Sequence, residues 1–134
     1  MEFIIIDKQA SQLCDHLKSL FDADITYRIA TNGESGYQLV FSSNPSLVII
    51  NQHLTKLNGF KLCQLISHNQ HYHQVPVIML VDLVESEMDQ LLADLGTVYW
   101  YPLADWNDLS RVDSERLIAI IERAVPLVQA HNES

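Results

Sequence analysis

The sequence predicts an α/β domain built on one open, five-stranded parallel sheet of order 2-1-3-4-5, with helices on both faces. Three observations carry that expectation. Short β-branched runs alternate with stretches whose apolar residues recur at helical spacing. The runs are apolar at nearly every position rather than every second one, as strands covered on both faces require. The length of 134 residues suits a single domain, here residues 1–134 with a core over 2–126 and a C-terminal tail over 127–134.

The first run, Phe3, Ile4, Ile5 and Ile6, reads as a buried strand. Ala10, Leu13, Cys14, Leu17, Leu20 and Phe21 then mark one face of a first helix. Residues 25–30 form a weaker second strand, followed by the turn signal Thr31, Asn32 and Gly33. Tyr37, Val40 and Phe41 define a shorter second helix, weakened by Gly36. Asn44, Pro45 and Ser46 punctuate the chain before a third strand over residues 47–50. A loop over 51–58 leads through Gly59 into a third helix carrying Phe60, Leu62, Cys63, Leu65 and Ile66. Residues 76–81 make the fourth strand. Met88, Leu91, Leu92 and Leu95 form a fourth helical stripe, which Gly96 is placed to end. Residues 98–101 are the fifth strand, stopped by Pro102. A last helix carries Leu117, Ile118, Ile120, Ile121, Ala124 and Val125. Ser114 or Asp113 caps its start, and Pro126 ends or kinks it. Right-handed crossovers leave few topologies, of which the flavodoxin-like order is the commonest at this size. Sites in such sheets lie at the carboxyl ends of the strands. Those ends are Asp7, Asn51, Val81 or Asp82, and Tyr101.

Composition narrows the function. Hydrophobic residues make up 48% of the chain, enough for a real core. A net charge of −9 and the absence of any run of Lys or Arg argue against nucleic-acid binding, which needs clustered cations. No apolar run approaches the roughly 20 residues of a membrane span, and Met1-Glu2-Phe3 lacks the basic region of a secretory signal. A cytoplasmic protein is expected. Cys14 and Cys63 fall in apolar helical patterns and read as small buried hydrophobes. The turn after the first strand, residues 7–12, has no glycine and one hydroxyl, which disfavours a phosphate-binding cofactor loop. No spacing of Ser, Cys and His suggests a nucleophile and its base.

The segment from Pro45 to Cys63, with Asn58-Gly59-Phe60 as its most specific part, closely resembles the response-regulator receiver family. Pro76 to Leu80 looks like that family's fourth strand, and Tyr101-Pro102 stands where receivers carry Lys-Pro, commonly with a cis bond. The resemblance covers nearly the whole chain. It implies two-component signalling, in which an Asp after the third strand accepts a phosphoryl group beside Mg²⁺ held by acids after the first. A Thr or Ser after the fourth strand and a Lys after the fifth hold that group. Here each of these positions departs. Asn51 replaces the phosphoacceptor, and a carboxamide is a very poor nucleophile. Asp7 survives of the acidic pair, but its neighbour is Lys8. Val81 replaces the hydroxyl and Tyr101 the cation. Together these changes remove nucleophile, metal site, hydroxyl and positive charge, so Mg²⁺ binding and acyl-phosphate chemistry are expected to be lost. No catalytic residue, cofactor or metal ligand is expected. Lys8 is expected to hydrogen-bond Asp7 or Asn51 as a built-in counterion.

The resemblance implies a protein partner, and a homodimer through the face of the fourth helix, fifth strand and last helix is one expectation. Tyr99, Trp100 and Trp106 are the candidate anchors there, against the alternative that they pack under the last helix. A receiver that docks a histidine kinase or phosphotransfer partner without accepting phosphate is the second reading, and a cofactor-binding enzyme a distant third. His68, His71 and His73 have a spacing that can chelate zinc, but their surroundings read as a solvated loop. His53 is expected to be exposed. Asp82 either reaches the pocket or caps the fourth helix, and capping is favoured.

Overall fold

A computed structural model describes residues 1–21, 24–82, 90, 95, 98–103, 111–128 and 130. Five strands form one parallel sheet: β1 (Glu2–Ile6), β2 (Thr26–Ala30), β3 (Leu47–Asn51), β4 (Val77–Val81) and β5 (Val98–Pro102), in the order β2-β1-β3-β4-β5. Four described helices flank it: α1 (Ala10–Leu20), α2 (Gly33–Phe41), α3 (Gly59–Ser67) and α4 (Ser114–Ala124). The helix expected around Met88 to Leu95, with its stop at Gly96, lies outside the described residues apart from positions 90 and 95.

Side chains alternate between two cores. Phe3, Ile5, Ile49 and Leu80 point to the side covered by α1 and α4, where they meet Leu17 and Leu117. Ile4, Ile6, Val48 and Met79 point to the side of α2 and α3, where they meet Val40 and Leu62. β3 and β4 are buried along their full length, while the edge strands β2 and β5 are only partly covered. This is the burial that apolar-throughout central strands demand.

Local chemistry sets the helix ends. Asn32, Asn58 and Asp113 each accept a hydrogen bond from a first-turn N–H, at 2.9, 2.8 and 3.1 Å. Asp113 is thus the cap of the last helix, and α4 stops two residues before Pro126. Gly36 costs helix propensity but lets α2 approach the sheet: a Cβ there would lie 2.7 Å from the Ile6 side chain. Val128 is buried in the first core and Ala130 bridges Phe21, so the chain stays on the domain past Pro126.

Burial of titratable groups bounds the stable pH range. The Cys63 thiol is pushed up to about 11 by burial, which outweighs its hydrogen bond with Ser67. The His16 imidazole is pushed down by burial. The raised thiol stabilises the fold fully below its ordinary value of 9.0 and loses that contribution as pH rises toward 11. The depressed imidazole contributes fully above its ordinary 6.5 and loses that as pH falls. Urea midpoints should therefore plateau between about pH 7 and 9 and drop on both sides. Cys63→Ala should reduce the alkaline drop that begins near 9 without abolishing it, because burial also raises the Cys14 thiol and pushes the Tyr27 hydroxyl up to about 12, and it should leave the acid limb in place.

Candidate functional site

Asp7 and Asn51 are the buried polar residues among the described ones, 4% and 6% exposed. Their placement follows from register. Ile6 pairs with Ile50, so the next residues of β1 and β3 emerge side by side at the carboxyl edge of the sheet. Their alternation directs both side chains to the α1 and α4 side.

The two groups satisfy each other. Asn51 Nδ2 donates to Asp7 Oδ2 at 2.7 Å. The other carboxylate oxygen, Oδ1, accepts from the Gln9 backbone N–H at 2.7 Å. Asn51 Oδ1 in turn accepts from the His53 backbone N–H, also at 2.7 Å. An ionised carboxylate can only accept and a backbone N–H can only donate, so these partners fix which way the amide faces. Charge-assisted bonds of this length are among the stronger neutral-to-ion contacts.

Lys8 does not play the part expected of it. It is exposed, and the recorded ion pairs among the described residues are Arg28 with Glu2 and His53 with Asp82. The Asn51 amide already supplies Asp7 with a donor, so an ammonium would surrender hydration for an oxygen that is taken. The internal counter-donor is Asn51 itself.

The other two pocket positions are absorbed by the cores. Val81 is 1% exposed in the α2 and α3 core, beside Pro102 in the ladder. Tyr101 is fully buried in the opposite core. Its hydroxyl accepts from the Asp113 backbone N–H at 2.9 Å, which ties the end of β5 to the start of α4. No cis peptide bond occurs among the described residues, so the Tyr101-Pro102 bond is trans.

Above the pocket, three bonds clasp the β3–α3 loop to the end of β4. Gln52 N–H donates to Leu80 O at 2.9 Å, and Asp82 N–H donates to the Gln52 side chain at 3.0 Å. His53 Nε2 meets Asp82 Oδ2 at 2.7 Å. His53 is exposed as expected, but it has a partner. The Asp82 carboxylate, favoured above as a helix cap, is held by that ring. Both side chains are about half exposed, so the pair itself contributes under about 1 kcal/mol. Gln52 and the Gln9 backbone were not singled out from sequence; neither residue type signals a site without the fold.

At strand five, Tyr99 and Trp100 are half-buried. The Arg116 guanidinium lies 5.2 Å from the Trp100 ring and 5.4 Å from Tyr101, and Arg123 lies 5.9 Å from Tyr99. The expected apolar face is thus an arginine–aromatic ladder, a signal present in the helical spacing of Arg116 and Arg123. Trp106 lies outside the described residues. His68, His71 and His73 are all exposed, and the His73 ring donates to Gln70 O. Among the described residues no group of three His, Cys, Asp or Glu converges on one point.

No protein-family pattern matches the sequence, and no curated protein does. Solved structures do. The receiver domain of a Francisella response regulator superposes with a TM-score of 0.72 at 17% identity, covering 93% of this chain and 96% of that one. A chemotaxis protein from Vibrio cholerae gives 0.71 at 18% identity over 92% and 97%. The signal receiver domain of a histidine kinase from Syntrophus aciditrophicus gives 0.68 at 17% identity over 99% and 96%. With its order β2-β1-β3-β4-β5, the chain has the flavodoxin-like fold of signal receiver domains.

Proposed function

We propose that this chain is a degenerate receiver of the two-component type, acting in bacterial signalling as a phosphorylation-independent protein-interaction module. The observation that supports this most is the closed Asp7–Asn51 pair. A receiver pocket works with an ionised nucleophile and a divalent cation held by oxygen ligands. Here the nucleophile position is a neutral amide whose nitrogen faces the one remaining carboxylate. That carboxylate has both oxygens hydrogen-bonded. Lys8 stands where a second acid is needed, Val81 offers no hydroxyl, and Tyr101 offers no ammonium, its own hydroxyl being engaged with the Asp113 N–H. These residues do not fit Mg²⁺, and in this reading none of them is catalytic.

The arrangement does suit a fixed platform. Asn51 occupies the pocket from within and orders the β3–α3 loop through His53, so the strand-end surface is set without a ligand. In this reading the output face is β5 with α4, where Tyr99 and Trp100 lie under Arg116 and Arg123. It docks a protein partner or a second copy, not nucleic acid or a membrane, in the cytoplasm.

The test is incubation with acetyl phosphate and Mg²⁺, followed by intact mass, with light scattering on the same sample. The unmodified mass and an unchanged oligomeric state are expected. A phosphoryl adduct would overturn the reading and favour the phosphorelay alternative.

A further inference from the structure

The acidic residues are not spread evenly. From Ser35 to Val81 the chain has no Asp or Glu, while carrying Lys56, Lys61 and four of the six histidines. All seventeen acids lie outside that segment, against six basic residues. The segment is therefore at +2, and the remainder at −11. The fold gathers it into one region: α2, β3, the β3–α3 loop, α3 and β4.

That region also carries an open apolar groove. Tyr37 of α2, Leu57 of the loop and Leu65 of α3 line a hollow of about 320 Å³, with Glu34 and Lys56 at its rim. Leu65 also borders a second hollow of about 280 Å³, beside Lys61 and His68. Tyr37 is 39% exposed although it stacks on Phe41 at 4.6 Å, and Phe41 packs on Tyr72 at 4.8 Å.

The walls are rigid. Gly33 N–H donates to Thr55 O at 3.0 Å, and a Cβ on Gly33 would lie 1.8 Å from Leu57 O. The α2 start and the loop are thus packed backbone to backbone. Lys56 is held at φ 69°, a left-handed conformation that costs a lysine energy and that surrounding structure must enforce. Neither Lys56 nor Lys61 is in a recorded ion pair among the described residues.

We infer that the α2–α3 groove is a docking site for an amphipathic helix of another protein, whose apolar anchors enter beside Tyr37, Leu57 and Leu65 and whose carboxylates meet Lys56 and Lys61. Charge selects this occupant. With Glu34 counted on the rim beside Lys56 and Lys61, the face carries two cations against one acid within an acidic chain, so it attracts acidic segments that the rest of the surface repels. The apolar hollow between α2 and α3 suits a helix-in-groove mode with anchors at i and i+4. A second copy would meet this face with its own acidic remainder, in a head-to-tail contact that gives rings or open chains rather than a two-fold dimer. This face extends the interaction reading to a second surface and needs nothing from β5 and α4.

The experiment selects displayed peptides of about 14 residues, four helical turns, on the full chain. Leucine is fixed at i and i+4 and other positions are randomised. Recovered peptides should be enriched in Asp and Glu and should shift the amides of Tyr37, Leu57 and Leu65. They should lose roughly tenfold in affinity against K56E/K61E, and bind more weakly as salt rises from about 50 to about 300 mM. No recovery, no acidic bias, indifference to K56E/K61E, or shifts confined to β5 and α4 would each overturn the proposal. The acetyl phosphate result bears on the receiver reading alone, so the two can fail separately.

Discussion

Asn51→Asp should lower stability by roughly 3 kcal/mol at neutral pH, because it sets a second carboxylate in a buried position beside the first. The substitution changes one group of nearly equal size, so packing is preserved and the effect is electrostatic. The Asn51 nitrogen that now donates to Asp7 at 2.7 Å would become an oxygen facing an oxygen. Two such groups cannot both ionise without a cation, so the loss should shrink when pH falls far enough for the pair to hold one proton. It should shrink also with millimolar Mg²⁺, which would gain a carboxylate ligand and stabilise by mass action. Lys8→Asp/Asn51→Asp should recover more with Mg²⁺ than the single variant. Urea denaturation with and without Mg²⁺ at two pH values checks this. A stable, Mg²⁺-indifferent Asn51→Asp would show that the pocket is hydrated and the pair unimportant.

Tyr101→Ala should cost about 4 kcal/mol, in the range for deleting a large buried aromatic. Its ring is fully buried among the residues of the α1 and α4 core. Its hydroxyl is a partner of the Asp113 N–H, which precedes the first turn of α4. Tyr101→Phe keeps the ring and removes that acceptor, so it should cost only about 1 kcal/mol and act locally. Hydrogen exchange should show faster opening in the first turn of α4 for Tyr101→Phe, and loosening of the whole α1 and α4 core for Tyr101→Ala. Equal losses for the two would mean that the hydroxyl, not the ring, holds β5 to α4.

The fold was legible because its signals are local and repeated. Three isoleucine-rich or valine-rich runs, each uniformly apolar, admit little other than a two-sided parallel sheet. The edge strands were weaker in pattern because they are half covered: in β2, Thr26, Arg28 and Ile29 are exposed, Tyr27 is partly buried and only Ala30 is buried. At the site, the strand ends located Asp7 and Asn51, since position in the fold follows from strand order alone. Their mutual bond was harder to read. Sequence offered Asp7 two neighbours of opposite character, an adjacent ammonium and a carboxamide 44 positions away. Formal charge favours the ammonium. The structure prefers the carboxamide, because Lys8 lies beyond the strand end in solvent while β3 delivers Asn51 to the carboxylate without desolvating a full charge.

Tyr101 was similarly ambiguous. A tyrosine at a strand end can face a pocket, a partner or the core, and only the position of α4 decides. Asp113 and Arg116, which engage its hydroxyl and ring, are separated from it by residues whose sequence carries no strong local signal. The cationic groove was within reach of counting alone, since a 47-residue stretch without an acid is visible in the letters. Its meaning needed the fold, which brings α2 and α3 side by side.

On the proposed reading, Asn51 fills the acceptor pocket from within, so that phosphate analogues and metal find no place there. The most direct measurement is the ¹H–¹⁵N spectrum of the Asn51 side-chain amide during titration with Mg²⁺ and beryllofluoride. A protected, well-dispersed NH₂ pair that does not move is expected, with the Trp100 fluorescence constant throughout. A saturable shift of that pair, requiring both Mg²⁺ and beryllofluoride, would contradict that reading.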